Sequence, residues 1–129
     1  MIDVNWNDSA NNIVVWKFTA PWTFPEFYAA QKEVDAMIDT VEGYVDSIFL
    51  TSLEQKIPLY GLTHLRKIIA QQHKRHRYTV IVGARTFLSS LLKLISEYVP
   101  NFKSQLHFAA SQADALSLLS KIRASQNPS

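Results

Sequence analysis

Two histidines, His73 and His76, lie three residues apart at the end of a predicted helix, a spacing at which two side chains share one face. Two imidazoles so placed could bind a metal ion, but His64 lies over two turns away and no carboxylate stands at a supporting spacing. We therefore interpret the pair as a solvated, cationic helix end. His107 falls in a short predicted strand, where a packed or edge position is the simplest interpretation. The sequence predicts no metal and no cofactor.

Catalysis finds little support in the pattern of residues. A nucleophile elbow has the sequence Gly-x-Ser-x-Gly, which is absent, and Ser89 and Ser90 fall inside a predicted helix. The chain has no cysteine, so it has no thiolate nucleophile. Asp35 and Asp39 stand one helical turn apart on a side expected to be exposed, which is typical of a solvated acidic face. We predict that the protein is not an enzyme.

Two segments at the expected carboxyl edge of a sheet could bind a ligand, because open α/β sheets bind ligands there. In one loop, Arg85 and Thr86 lead into a helix N-terminus, where free N–H groups could hold an anion. An ordinary helix cap beside a solvated arginine explains the same loop. In the other segment, Trp22 and Phe24 stand between two prolines. They form either a hydrophobic staple at the helix start or an aromatic lip on a pocket or interface.

Apolar periodicity predicts the elements that position these residues. Strands are expected over residues 2–6, 13–18, 45–50, 78–82 and 106–109. Helices are expected from the Thr23 cap to Gly43, from Pro58 into residues 71–76, from Thr86 to Pro100 and from Ser111 onward. The order β-β-α-β-α-β-α-β-α predicts an α/β fold with a mostly parallel, five-stranded mixed sheet and an antiparallel hairpin strand at one edge. We expect one domain over residues 1–124 and a frayed tail over residues 125–129.

Composition agrees with a single globular domain. The chain has 129 residues, of which 47% are hydrophobic and 19% charged, enough apolar side chains for a core. No apolar run approaches the roughly 20 residues that a membrane-spanning helix needs. The N-terminus has neither the basic nor the apolar region of a secretory signal peptide. These features predict a cytoplasmic protein without a membrane span.

Charge is distributed unevenly along the chain. Residues 1–64 hold nine acidic and three basic side chains, whereas residues 65–129 hold ten basic and two acidic ones. The halves therefore carry net charges of −6 and +8. Such asymmetry predicts either a basic binding face or two complementary surfaces that favour a homodimer. Few aromatic residues are interleaved with the cations, which argues against nucleic-acid binding.

Two short sequence features accompany this order of elements. Gly61 and Leu62 stand near a helix start after a central strand, and the last helix begins with Ser111 followed by Asp114 and an Ala-Leu pair. Together these features resemble the STAS family (anti-sigma-factor antagonists, SpoIIAA-like) over about residues 13–122. The segments at residues 21–30 and 108–116 look like an uncharacterised bacterial branch of that fold.

The resemblance implies a non-catalytic module that binds a protein partner. In the family, a loop of the form Asp-Ser-Ser/Thr-Gly-Leu opens this helix, and a partner kinase phosphorylates the hydroxyl residue before the glycine. Here Pro58 stands at the Asp position and Tyr60 at the acceptor position, while Gly61 matches. Thr63, one turn further on, is the nearest aliphatic hydroxyl and lies outside the motif. The resemblance therefore implies an interaction surface at Pro58, Tyr60, Gly61 and Thr63 without the usual phosphorylatable serine.

A second function remains open at this stage. The same broad fold resembles lipid-binding domains, so the chain could instead bind a small apolar or anionic molecule. The predicted residues for such a ligand are Trp22, Phe24, Arg85 and Thr86, at the carboxyl edge of the sheet. The sequence identifies neither the partner protein nor the ligand.

Overall fold

A computed structural model of the chain describes residues 1–7, 12–51, 61–83 and 105–126, together with the isolated positions 89, 93 and 97. The predicted helix start at Pro58, the helix cap at Thr86 and the helix end at Pro100 lie outside these residues. Ser89 is helical and exposed, as are the residues four and eight positions further on. This confirms that Ser89 belongs to a helix.

Five strands and three helices are described in full. The strands are β1 (Ile2–Trp6), β2 (Ile13–Phe18), β3 (Val45–Leu50), β4 (His76–Val82) and β5 (Leu106–Ala109). The helices are α1 (Phe24–Ile38), α2 (Gly61–Ala70) and α3 (Gln112–Gln126). The bounds of β3 and β5 agree with those predicted. Helix α3 includes residues 125 and 126, which were expected to belong to a frayed tail.

The strands form one sheet in the order β1-β2-β3-β4-β5. Strands β1 and β2 pair antiparallel, with Val4 opposite Trp16, and the three following pairs are parallel. The α/β class, the five-stranded mixed sheet and the antiparallel edge hairpin are therefore confirmed. No helix in the described ranges is long and apolar enough to cross a bilayer.

The core lies on both faces of the sheet, because successive side chains of a strand point to opposite faces. Helix α1 and Ile68 of α2 pack on one face, against buried residues of β1, β2 and β3 that include Val4, Val14 and Trp16. Helix α3 packs on the other face, against Ile48, Val80 and neighbouring residues of β3 and β4. Because α1 and α2 pack on the same face of the sheet, they lie next to each other.

Helix α1 begins as the sequence predicts. The Thr23 hydroxyl accepts a hydrogen bond from the backbone N–H of Glu26, and the Glu26 carboxylate accepts one from the backbone N–H of Thr23. This reciprocal capping box satisfies two donors that the first helical turn leaves free. Pro25 stands in the first turn, where its missing N–H has no consequence. The cap therefore sets the position of the aromatic residues around it.

The end of α1 differs from the prediction. The helix ends at Ile38 and not near Gly43, and Gly43 adopts a φ of +84° in the turn that follows. The cause is Arg75, whose guanidinium donates to the carbonyls of Ile38, Val41 and Gly43 at 2.8, 2.6 and 3.1 Å. Because a cation from another segment satisfies these carbonyls and complements the negative helix end, the chain can leave the helix early.

The predicted cationic helix end at residues 71–76 is wrong. Helix α2 ends at Ala70, and β4 begins at His76 rather than at Tyr78. Pairing with β3 extends the strand, since the backbone N–H of Val45 donates to the carbonyl of Arg75 at 2.8 Å. His73 and His76 therefore do not share a helix face.

Candidate interaction site between helices α1 and α2

The segment between the two prolines is a packed aromatic corner. Trp22 is half-buried, and its ring lies 5.3 Å from Phe18 and 5.4 Å from Phe24, both in edge contacts. Phe24 is buried in the first turn of α1. Behind them, Phe27 and Phe49 extend the same cluster towards β3. The corner therefore closes the core where β2 passes into α1.

His64 joins this corner to helix α2. Its ring stacks on Phe24 at 4.2 Å with 16° between the planes. Its Nδ1 atom also lies 2.7 Å from the Tyr28 hydroxyl, within hydrogen-bonding distance. Phe24 and Tyr28 stand four residues apart on α1, so both rings face the same side. Two α1 residues thus hold the first turn of α2 by a stack and a polar contact.

The sequence predictions did not include His64 in any site. The signal that could have found it is the pair of aromatic residues at i and i+4 in α1, which presents a platform for one more ring. Nothing local identifies which residue fills that place, because His64 lies 36 residues beyond Tyr28 in the chain.

The outer side of α2 carries exposed polar and basic residues. Thr63, Arg66 and Lys67 are exposed, and the Lys67 ammonium lies 5.3 Å from the centroid of the Tyr28 ring. Helix α2 begins at Gly61, the glycine of the predicted interaction surface. We call the exposed face formed by Thr63, Arg66 and Lys67 the α2 face. It adjoins the aromatic corner through His64.

The structure thus brings two predicted surfaces together. Phe24 of the proposed ligand edge, against which Trp22 packs, contacts His64 of the helix that carries Gly61 and Thr63 of the proposed interaction surface. The other members of the two predicted sets, Pro58, Tyr60, Arg85 and Thr86, lie outside the described residues. The α2 face combines positive charge with an adjacent aromatic surface, which suits an acidic protein surface.

Trp22 has one feature that packing alone does not explain. Its indole Nε1 is buried and has no hydrogen-bond acceptor among the residues that the structure describes. A buried donor without an acceptor is costly, since it loses its hydrogen bond to water without replacement. This atom lies in the aromatic corner beside Phe24.

Ser47 and His76 form a contact of nucleophile–base type within the sheet. Ser47 Oγ lies 2.6 Å from His76 Nε2 and accepts a 3.0 Å hydrogen bond from Trp16 Nε1. His76 Nδ1 contacts the side-chain amide of Gln72. Ser47 has no exposure to solvent, so no substrate can reach it. The contact is a buried polar chain that links β2, β3 and β4.

The environment of His76 keeps its ring neutral. Burial lowers its pKa from 6.5 to about 4, against the smaller raising effect of the Asp46 carboxylate. At neutral pH the ring therefore carries no charge that would need a counter-ion in the core. The predicted solvated position for His76 is wrong, since the residue is half-buried at the start of β4 and its ring contacts the buried Ser47.

His73 and Asp35 also differ from the prediction, whereas Asp39 is exposed as expected. His73 Nε2 lies 2.9 Å from Asp39 Oδ1, so Asp39 pairs with a histidine from the β4 side. Burial raises the pKa of Asp35, which His73 opposes and Asp39 reinforces. Asp35 therefore does not lie on a fully solvated face.

In the described segments no three His, Asp or Glu side chains group as a metal site. His107 lies in β5 at the sheet edge, with its ring 5.8 Å from Tyr78.

No protein-family profile, curated protein or solved structure matches this chain.

Proposed function

We propose that this chain is a non-catalytic, STAS-like protein-interaction module that binds a protein partner through the α2 face. The observation that carries the proposal is the double contact of His64 with Phe24 and Tyr28. A surface that is held rigidly before binding loses less conformational entropy when it binds. The module offers such a surface at the place where the resemblance puts partner recognition.

The order of elements supports the STAS-like part of the proposal. An antiparallel hairpin is followed by parallel strands in sequential order, and α2 begins at Gly61, directly after the segment that follows the central strand β3. The hairpin and the glycine at a helix start are two of the features on which the resemblance rests, beside the Ser111 and Asp114 pattern of the last helix. Tyr60 stands where the family has a serine or threonine, so recognition by this module does not depend on serine phosphorylation at that position.

The charge of the α2 face specifies the chemistry of the partner. Arg66 and Lys67 are exposed, and no carboxylate lies within 4 Å of either among the ion pairs of the described chain. An acidic partner surface would form ion pairs with these cations and would speed association by electrostatic attraction. Tyr28 and His64 supply the aromatic contact beside them. The partner is therefore a protein with an acidic contact region.

Site-specific photo-crosslinking in the native host tests this proposal. A photoreactive amino acid replaces Thr63 in one variant and the exposed Ser117 of α3 in a control variant. We expect one discrete protein adduct at Thr63 that is absent at Ser117. Reversal of both charges, Arg66→Glu with Lys67→Glu, should remove the adduct, whereas Lys74→Glu with Lys121→Glu changes the net charge equally and should not. No adduct at Thr63, or the same adducts at both positions, would contradict the proposal.

A small-ligand function is the second candidate, and Trp22 favours it. No described residue offers an acceptor to the buried Nε1 donor, and an acceptor atom of a small apolar molecule could supply one. Titration with a panel of lipids and metabolites would then change tryptophan fluorescence and raise the melting temperature. Both effects should disappear in Trp22→Phe. If the panel changes neither quantity, this candidate fails while the interaction proposal stands.

A further inference from the structure

Strand β4 contains an extra residue where it passes Asp46 of β3. The parallel register between the strands shifts between Val45 and Ser47, so that β4 has one more residue than β3 over this stretch. Such an irregularity redirects side chains and leaves backbone groups without their ladder partner. Here it brings two consecutive residues, Arg77 and Tyr78, to the carboxylate of Asp46.

The Asp46 carboxylate has hydrogen-bond donors for both oxygens and a charge partner without Arg77. The side chain has no exposure to solvent, and its Oδ1 accepts a 2.9 Å hydrogen bond from the backbone N–H of Tyr78. Its Oδ2 lies 2.7 Å from both Nε and Nη2 of Arg123 in α3. A buried carboxylate needs one such charged partner, and Arg123 supplies it.

Arg77 is a second cation at the same carboxylate. Its Nε lies 3.6 Å from Asp46 Oδ1, beyond hydrogen-bonding distance, and within the described part of the chain this buried nitrogen has no hydrogen-bond acceptor. The guanidinium lies between two aromatic rings, 4.8 Å from the Tyr44 centroid and 4.9 Å from the Tyr78 centroid. Two arginines thus share one carboxylate, and the group carries a net charge of +1.

The outer side of this arrangement is open to solvent. The Arg77 side chain is 26% exposed and the Tyr44 residue is 56% exposed, the latter unusual for a large aromatic residue. A guanidinium offers planar pairs of N–H donors that match the oxygens of a phosphate or a carboxylate. The exposed Tyr44 ring adds an apolar surface beside those donors.

We propose that Arg77 and Tyr44 form a binding site for the oxyanion of a small aromatic molecule, either an aryl phosphate or an aryl carboxylate. The anion neutralises the charge of Arg77 and accepts hydrogen bonds from its guanidinium, while the aromatic group packs on Tyr44. The site lies at the amino end of β4, away from the carboxyl edge that sequence rules favour for ligands. It is independent of the α2 face and of the proposed partner protein.

Titration of the full chain with phenyl phosphate and, separately, with benzoate tests this site. The Arg77 Nε–H signal in a nitrogen-correlated NMR spectrum is the readout, with sodium chloride at matched ionic strength as the control. We expect a saturable shift with at least one of the two anions and a Kd on the order of 1 mM or lower. The stronger anion identifies the class of ligand. Absence of a saturable shift with both anions would overturn the proposal, and this result needs no variant.

Variants then assign the binding to these residues, with the backbone N–H signal of Tyr78 as the readout, because Arg77→Lys itself removes the Arg77 Nε–H signal. Arg77→Lys keeps the charge but loses the planar donors, so the affinity should fall about tenfold. Tyr44→Leu should weaken the binding of phenyl phosphate more than the binding of inorganic phosphate, since only phenyl phosphate has a ring that packs on Tyr44. Lys17→Gln, at an exposed lysine of β2 that belongs to neither proposed site, is the control and should leave the affinity unchanged. A saturable shift with the same affinity in both Arg77→Lys and Tyr44→Leu would overturn the proposed site.

Discussion

The Tyr28 hydroxyl lies 2.7 Å from Nδ1 of His64, and this contact ties the middle of α1 to the first turn of α2. The Phe24 ring covers the face of the same imidazole at 4.2 Å. Together they fix the direction in which α2 presents Thr63 and Lys67. The position of the α2 face therefore follows from the packing of α1, whose own start is set by the capping box at Thr23.

Substitution Tyr28→Phe should lower the free energy of unfolding by about 1 kcal/mol, since it removes one hydrogen bond and keeps the ring. Amide exchange in α2 should become faster, because α2 loses its polar contact with α1. Urea denaturation and hydrogen exchange measure the two effects. Tyr44→Phe, at an exposed tyrosine, is the control and should change stability by less than about 0.5 kcal/mol. Equal stability of the two variants would show that the Tyr28 contact contributes nothing.

Substitution Arg75→Ala should destabilise the fold by about 2 kcal/mol, because three carbonyls at the end of α1 lose a charged donor. Chemical denaturation measures the loss. The neighbouring Lys74 is exposed, so Lys74→Ala removes a cation of the same turn without removing the cap. A similar loss in both variants would mean that charge alone, rather than the hydrogen bonds of Arg75, supports the helix end.

Asp46→Asn should cost about 3 kcal/mol, since it leaves Arg123 without its charge partner in a site that solvent reaches poorly. Asp39→Asn is the matched control, because the Asp39 side chain is 68% exposed and surface ion pairs contribute about 0.5 kcal/mol. Thermal or urea unfolding compares the two. If Asp46→Asn is as well tolerated as Asp39→Asn, the buried ion pair does not stabilise the fold.

Stability should fall as the pH falls below the ordinary histidine pKa. Burial lowers the pKa of His76 from 6.5 to about 4, so between these values the unfolded chain takes up a proton that the folded chain does not. The contribution of His76 is complete above pH 6.5 and is lost progressively towards pH 4, by about 3 kcal/mol in all. The raised pKa of Asp35 acts in the opposite direction, because the folded state then holds a proton more readily.

Urea unfolding from about pH 7 to about pH 4.5 measures this dependence. The dependence of the free energy of unfolding on pH should become weaker in His76→Gln. It should remain in His107→Gln, where His76 is intact. If the slope is equally steep in His76→Gln, another group carries the pH dependence.

Local patterns predicted the elements whose signals are local. The compact apolar run of β3 and the capping residues Thr23 and Ser111 depend on neighbours in the chain, and each agrees with the structure. The end of α1 could not be predicted in this way. It depends on Arg75, which lies 37 residues beyond Ile38 and reaches the helix only because β3 and β4 pair.

The same reason explains what was missed at the candidate sites. The sequence places His76 at a cationic helix end because lysine and arginine surround it, yet pairing in the sheet leaves it half-buried against Ser47. The partner of Asp46 is Arg123, 77 residues away, and no spacing rule connects them. Contacts made by the sheet, rather than by neighbours in sequence, determine which polar residues lie together.

The most direct test of the interaction proposal is native mass spectrometry of the protein isolated gently from its own host. The wild-type chain should carry a second protein, and the mass should show that this is not another copy of the chain. The complex should be lost in Arg66→Glu with Lys67→Glu and retained in Lys74→Glu with Lys121→Glu. A bare chain, a chain that carries only a small molecule, or a complex that survives reversal of the α2 face would contradict the account.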